Sequence, residues 1–117
     1  MSWQPELMVA LKAADRAMRL LRDRPKTVDH KSAIDLVTDV DRRCEAELRE
    51  LLEGHTGLPV LGEEGGGSEA STRWVVDPVD GTTNFVHGFP WYASSIALEV
   101  DGRSVVGVVV EPVRGRV

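Results

Sequence analysis

Two aspartates three residues apart, a glycine and two threonines follow one apolar run in this chain: Trp74-Val75-Val76-Asp77-Pro78-Val79-Asp80-Gly81-Thr82-Thr83-Asn84-Phe85. The run predicts a buried strand over Arg73 to Val76, ending in a turn that Pro78 stiffens by fixing its own φ. Two acids held that close repel each other unless a cation lies between them. Oxygen ligands converging at a strand end suit a hard cation such as Mg2+. Gly81-Thr82-Thr83 then offers backbone N–H groups where a helix could begin, a natural cradle for phosphate.

Other chemistry-bearing residues lie upstream. Glu63-Glu64 follows the short strand Pro59-Val60-Leu61-Gly62. By itself the pair reads as a solvated acidic turn. If the two strands end side by side, one of these glutamates joins Asp77 and Asp80 as an oxygen ligand. Asp41 has two readings. With Thr38 three residues before it, Asp41 forms a helix-capping pair, although Glu or Gln is the usual partner. It could instead orient a hydroxyl or a water beside the metal. Thr82 is either a helix cap or a donor of its N–H to phosphate and its hydroxyl to a water, and these roles are compatible. Asn84 reads as a local backbone hydrogen bonder, and Asp35 and Asp39 as structural or solvated. His30, His55 and His87 have no zinc-like spacing to one another or to Cys44 and read as surface residues. Gly65-Gly66-Gly67 lacks the Lys-Ser or Lys-Thr of a nucleotide-binding P-loop.

The elements that must hold these groups are a pair of helices and a sheet. Pro5 to about Asp23 is amphipathic, with Leu7, Leu11, Ala14, Met18 and Leu21 at steps of three and four. Thr27 to Ala33 reads as irregular. A second helix runs from Thr38 or Asp39 to Glu53 with Val40, Cys44, Leu48 and Leu51 as its stripe and Gly54 as its stop. Cys44 on that stripe is a small core residue. Gly65-Gly66-Gly67-Ser68 predicts a mobile loop. His87 to Tyr92 reads as a structured loop with apolar anchors, and Trp3, Trp74 and Trp91 as core or interface residues. Ser94–Val100 and Ser104–Val110 are strands joined by Asp101-Gly102, a strong hairpin signal. The pattern is α+β: two N-terminal helices packed on one face of a largely antiparallel sheet. The run Val105 to Val110 is apolar on both sides and expects cover on both.

The composition of 117 residues, 42% hydrophobic and 28% charged with a net charge of −5, is that of a globular chain. The acidity gives no sign of a nucleic-acid partner. A lone cysteine fits a reducing compartment, no run approaches the ~20 apolar residues of a membrane span, and no signal-peptide layout is present. The expectation is a cytoplasmic protein.

The motif Trp74-Val-Val-Asp-Pro-Val-Asp-Gly-Thr-Thr-Asn-Phe-Val-His87, continuing through Gly88-Phe89-Pro90, resembles the signature of the inositol monophosphatase family. Gly62-Glu63-Glu64 resembles the family's Gly-Glu-Glu element. Asp35-Leu36-Val37-Thr38-Asp39-Val40-Asp41 resembles its Asp-Leu-Val-Thr-x-x-Asp element, with Lys31 in the usual place before it. The resemblance implies a layered α/β/α/β/α fold, usually dimeric, and a Mg2+-dependent, lithium-sensitive phosphomonoesterase using two or three ions. It implies Glu63, Asp77 and the Val79 carbonyl on the first metal, and Asp77 and Asp80 on the second. Gly81 and Thr82 would hold phosphate through backbone N–H groups. Asp41 would orient the Thr82 hydroxyl toward the attacking water, and Glu64 would support the metal-bound waters.

The implied substrate is a small sugar or polyol phosphate such as inositol 1-phosphate, with histidinol phosphate, a bisphosphorylated nucleotide or fructose 1,6-bisphosphate as alternatives. The family pattern continues into a C-terminal half whose Trp-Asp-x-Ala-type motif completes the second metal site. This sequence ends at Val117, so the expectation is the N-terminal metal- and phosphate-binding part of such a domain over residues 1–117, impaired by itself. A non-catalytic metal- or phosphate-binding module and an inert fragment are the competing expectations.

Overall fold

Two helices lie across one face of a mixed sheet, and the candidate residues gather at the end of its central strands. The computed structural model describes residues 2–31, 36–63 and 69–117. The elements in order are α1 (Gln4–Leu20), β1 (Val28–His30), β2 (Leu36–Thr38), α2 (Asp39–Thr56), β3 (Val60–Gly62), β4 (Thr72–Asp80), α3 (Thr82–His87), β5 (Ala93–Val100) and β6 (Arg103–Val110). The main sheet has the order β3-β4-β5-β6, and β1 pairs with β2 in a separate two-stranded ribbon. β3 runs parallel to β4, while the β4–β5 and β5–β6 pairs are antiparallel. This is the α+β architecture expected, with one parallel pair in a largely antiparallel sheet. Among the described residues, no helix is long and apolar enough to cross a membrane.

α1 carries Pro5 in its first turn, where a missing N–H costs nothing. Its buried face is Ala10, Ala13, Ala14, Ala17 and Leu20, whereas Leu11 is an exposed residue. The expected stripe through Leu11 is therefore rotated. Small side chains turn inward and let α1 lie close to both α2 and the sheet, so the larger leucine is left outside. The helix ends at Leu20, and residues as far as Asp23 form a turn through Asp23 N–H to Leu20 O.

α2 begins with a reciprocal capping box between Thr38 and Asp41. It does not stop at Gly54. It continues to Thr56 and ends on Gly57, whose φ of 69° is the left-handed conformation that favours glycine at a helix end. Gly54 is simply a helical residue. Cys44, Leu48 and Leu52 are fully buried on its inner face, with Leu51 only partly so.

β4 alternates. Trp74 and Val76 face the helices and are buried, while Arg73, Val75 and Asp77 lie on the other side and are half-buried. Trp74 is held by more than packing, because its Nε1–H donates to Thr56 Oγ1 at 3.0 Å and that hydroxyl donates to Leu52 O at 2.6 Å. Ile96 and Leu98 of β5 and Val106, Val108 and Val110 of β6 complete the main core with the alanines of α1. Leu21, Val40, Val79 and Phe85, with Tyr92 against them, form a second core.

The face of β6 turned from the helices holds half-buried Val105, exposed Gly107 and Val109 at 56% exposure, so the described residues cover only one face of this strand. The Asp101-Gly102 hairpin is formed as expected, with positive φ at both residues as a type I′ turn requires. Trp3 packs on the core, but Trp91 is 61% exposed. The expected glycine-rich loop 65–68 lies outside the described residues.

Candidate active site

Strict alternation along β4 would send Asp77 and Asp80, three residues apart, to opposite faces. The pairing shows how the chain avoids this. Asp77 pairs with Ser95 but Asp80 pairs with Ala93, so β4 carries one extra residue between them. That is a β-bulge, which bends a strand and re-aims its side chains. Pro78 therefore sits inside a central strand rather than in the turn expected. A bulge is one of the few places where a sheet tolerates a residue with no N–H to donate. Ser94, fully buried on β5, donates its hydroxyl to Pro78 O and pins the bulge from the neighbouring strand. No motif in the sequence marked Ser94, because its role comes from a strand pairing sixteen residues away.

Beyond the bulge, Gly81 has φ 91°. A Cβ there would lie 3.0 Å from Trp91 O and 3.5 Å from Tyr92, so both conformation and space require glycine. α3 follows at once, with Thr82 as its first residue. Asn84 donates its side-chain N–H to Trp91 O at 2.9 Å, the local backbone bond expected of it. Arg24 lies over the Phe85 ring at 4.9 Å and donates to Val86 O at 3.1 Å, steadying the far end of α3. That contact joins residues more than sixty apart, and nothing near Arg24 in sequence points to it.

Asp41 does both things its position allowed. One oxygen, Oδ2, accepts from Thr38 N–H at 3.2 Å and from the Thr38 hydroxyl, and Thr38 Oγ1 in turn accepts from Asp41 N–H at 3.1 Å. The other, Oδ1, accepts from the Thr82 hydroxyl at 2.8 Å, while Val79 O lies 3.1 Å from that hydroxyl as a second acceptor. Asp41 is 1% exposed, so its cap fixes its carboxylate and the carboxylate fixes Thr82. Asp39 is structural, as expected: its Oδ1 accepts from Lys26 and Thr27 N–H at 2.8 and 3.0 Å. Its pKa is lowered mainly by the Thr27 N–H.

Glu63 enters from β3, whose parallel pairing with β4 puts Gly62 opposite Val76. The two strand ends thus lie side by side, the condition under which Glu63 can join Asp77 and Asp80. Lys31 Nζ is 3.4 Å from Glu63 Oε1. Glu63, Asp77, Val79, Asp80, Gly81 and Thr82 all line one cavity of about 260 Å³, with Lys31 on its rim. A larger cavity of about 450 Å³ shares Asp80, Gly81 and Asn84 but is otherwise walled by Trp91, Tyr92, Val109 and their neighbours. Three carboxylates, Glu63, Asp77 and Asp80, line the smaller one. Asp35 and Glu64 lie outside the described residues. The three histidines are exposed, and Cys44 is a buried core thiol pushed up to about 12, mainly by burial and then by the charge of Asp41.

Asp77 is the most perturbed carboxyl at this site, pushed up to about 7. Burial is the main cause, followed by its hydrogen bond with Glu63 and the negative charges of Glu63 and Asp80. One of its oxygens, Oδ1, is buried with no hydrogen-bond partner among the described residues. A buried acceptor left unsatisfied costs about 1–3 kcal/mol, a cost that an added cation or proton would relieve. As the side chains stand, no three His, Cys, Asp or Glu among the described residues converge on a point where an ion could be held. The donor set is all oxygen, which fits a hard cation and not a soft one.

A sequence profile of the inositol monophosphatase family matches residues 3–117. The histidinol-phosphatase of Mycobacterium tuberculosis (strain ATCC 25618 / H37Rv) is 48% identical over 114 residues, covering 92% of this chain and 44% of that protein. Inositol monophosphatase 2 of Solanum lycopersicum is 40% identical, over 90% of this chain and 44% of its own length. The Nus factor SuhB of Pseudomonas aeruginosa is 44% identical, over 95% and 45%. Among solved structures, an IMPase of Thermotoga maritima superposes with a TM-score of 0.87 at 30% identity, over 94% of this chain and 45% of that one. The suhB extragenic suppressor protein of Bartonella henselae gives 0.85 at 37% identity, over 92% and 45%. The chain spans a little under half the length of the curated relatives it matches. Its fold and its sequence agree that the chain belongs to the inositol monophosphatase family.

Proposed function

We propose that these residues form the cation- and phosphate-binding part of a Mg2+-dependent phosphatase for a small sugar or polyol phosphate. The observation that carries this reading is the buried Oδ1 of Asp77, without a hydrogen-bond partner among the described residues, in a cavity lined by Glu63 and Asp80. Glu63, Asp77 and the Val79 carbonyl would hold one ion, and Asp77 and Asp80 a second. When bound, such ions lower the pKa of a coordinated water and neutralise charge on a phosphoryl group.

The chain's own residues do the rest. Gly81 and Thr82 offer backbone N–H groups to phosphate oxygens. They are held in place by the close approach of Gly81 to Trp91 O and by the Thr82–Asp41 bond. Asp41, buried and fully engaged, keeps one acceptor on the Thr82 hydroxyl, so its proton points away from the cavity and its oxygen can accept from a water. Lys31 balances charge on Glu63. Glu64, by family resemblance, supports the same water network. No covalent intermediate on the protein is required, and the catalytic load is positioning and electrostatics.

Inositol 1-phosphate is the first substrate of choice. Histidinol phosphate is the second, favoured by the 48% identity to a relative named histidinol-phosphatase. Phosphate release from each, with and without Mg2+, tests the reading. Release should require Mg2+ and vanish in Asp80→Asn; release that persists in that variant or without the ion would refute it. Inhibition by Li+, a dimeric assembly and a cytoplasmic location belong to the same reading. Li+ titration, sedimentation and cell fractionation check them in turn.

A further inference from the structure

Glu45 has no part in the site described above, yet it is an acid with only 3% of its surface exposed. Burying a carboxylate is costly unless it is paired and hydrogen-bonded. It lies on α2 one turn beyond Asp41, and its carboxylate sits directly on Gly62. A Cβ built at residue 62 would be 2.4 Å from both Cδ and Oε1 of Glu45 and 2.8 Å from Oε2. Gly62 has no left-handed backbone, and any larger residue there would have to displace the Glu45 carboxylate. One turn further on, Arg49 Nη2 is 3.6 Å from Glu45 Oε2, and Arg49 Nη1 donates to Val60 O at 2.7 Å.

Two side chains of α2 thus meet β3 at its first and last residues. That strand needs them. It is three residues long and, among the described residues, stands at the edge of the sheet with β4 as its only neighbour. The residue that follows it is Glu63, whose carboxyl must meet Asp77. A rotation or slide of β3 would carry Glu63 away from the cavity.

We infer that Glu45, seated by Arg49 against Gly62, is a positioning residue that sets where β3 delivers Glu63 beside Asp77. The role rests on the reading of Glu63 and Asp77 as cation ligands, and it concerns how those ligands are aimed rather than which they are. Glu45→Gln keeps the size of the side chain and removes the charge that faces Arg49. Arg49→Met keeps the stem and removes the grip on Val60 O without burying a new charge. Leu48→Ala, between them on α2 and fully buried in the main core, is the control for simple destabilisation.

Mn2+ affinity of each folded protein is measured by calorimetry, with urea unfolding measured separately. Outer residues that orient metal ligands typically govern about 10–100-fold in affinity. Glu45→Gln is expected to weaken Mn2+ binding about 10-fold, and Arg49→Met several-fold in the same direction. Leu48→Ala should leave affinity within about twofold while clearly lowering the urea midpoint. If Glu45→Gln does not fold, Arg49→Met decides alone. Wild-type affinity in the folded variants, or an equal loss in Leu48→Ala, would overturn the role of Glu45. A wild-type chain that binds no Mn2+ would instead sink the cation site itself, and this role with it.

Discussion

Gly81→Ala puts the geometry of the β4–α3 junction under direct test. The added methyl would meet two separate penalties. The backbone sits at φ 91°, where an L-residue with a Cβ loses roughly 1–2 kcal/mol. The methyl would also lie 3.0 Å from Trp91 O, a backbone atom that cannot swing aside. A lower entropy of the unfolded chain returns about 0.4–1 kcal/mol. Two other glycines separate these contributions. Gly88 has φ 73° with nothing within 4 Å, so Gly88→Ala carries the conformational penalty alone. Gly54 lies within α2 with open space around it, so Gly54→Ala should stabilise by roughly 0.5–1 kcal/mol. Urea unfolding of the three variants should rank Gly54→Ala above wild type, Gly88→Ala about 1 kcal/mol below it, and Gly81→Ala lower still. Because the methyl would push Gly81 and Thr82 off the Asp41–Thr82 axis, Gly81→Ala should also weaken inorganic phosphate binding where Gly88→Ala does not. A Gly81→Ala protein as stable as Gly88→Ala would refute the close approach to Trp91.

Asp41→Asn should cost about 1 kcal/mol in urea unfolding, since a capping interaction is typically of that size, and Thr82→Val should leave the cap intact while removing the bond to Oδ1; equal losses in both would contradict the dual role of Asp41. Asp77, held near 7 against an ordinary 3.8, keeps a proton in the folded state that the unfolded chain releases, so with chelator present its contribution to stability falls as pH rises between about 4 and 7. At about 1.4 kcal/mol per pH unit the ceiling is about 4 kcal/mol, and solvent screening of a half-buried group reduces it to roughly 1–2 kcal/mol. Asp77→Asn should therefore gain about that much at pH 8 and little at pH 4.5, and an equal gain at both would refute the cause. Cys44, buried with its thiol pushed up to about 12, should react with a thiol reagent at pH 8 only as fast as the protein unfolds; complete labelling of the native protein within seconds would show the thiol to be open.

The candidate site is legible in outline because its residues are close in sequence. Asp77, Asp80, Gly81 and Thr82 lie within six positions, and the strand before Glu63 announces itself by its apolar run. The hairpin at Asp101-Gly102 and the Thr38–Asp41 cap were likewise readable from local chemistry. Long-range pairing was not. Nothing in the string says that Asp77 opposes Ser95 while Asp80 opposes Ala93, so the bulge that turns both carboxylates to one cavity is invisible, and Pro78 reads as a turn. Ser94, Arg24 and Glu45 act on partners 16 to 62 residues away and carry no local mark.

Local signals also failed where two of them competed. Gly54 and Gly57 are both plausible helix stops, and only Gly57 takes the left-handed conformation. Leu11 fits a helical stripe as well as Ala10 or Ala13 does, but close packing of α1 on α2 selects the smaller residues. The pairing of Val28–His30 with Leu36–Thr38 has no local sequence signal, because all three residues of β1 are exposed and show no apolar alternation. The start of α3 at Gly81-Thr82 is legible in the sequence, but at six residues the helix is too short for periodicity to mark its extent.

Whether Glu63, Asp77 and Asp80 await a hard cation is best settled by calorimetric titration of the chain with Mg2+ at pH 7.5, beside Asp77→Asn and Asp80→Asn. Saturable binding at millimolar Mg2+ or below is expected for the wild type, lost in Asp77→Asn and weakened in Asp80→Asn. No heat of binding in the wild type, or unchanged binding in Asp77→Asn, would contradict the assignment.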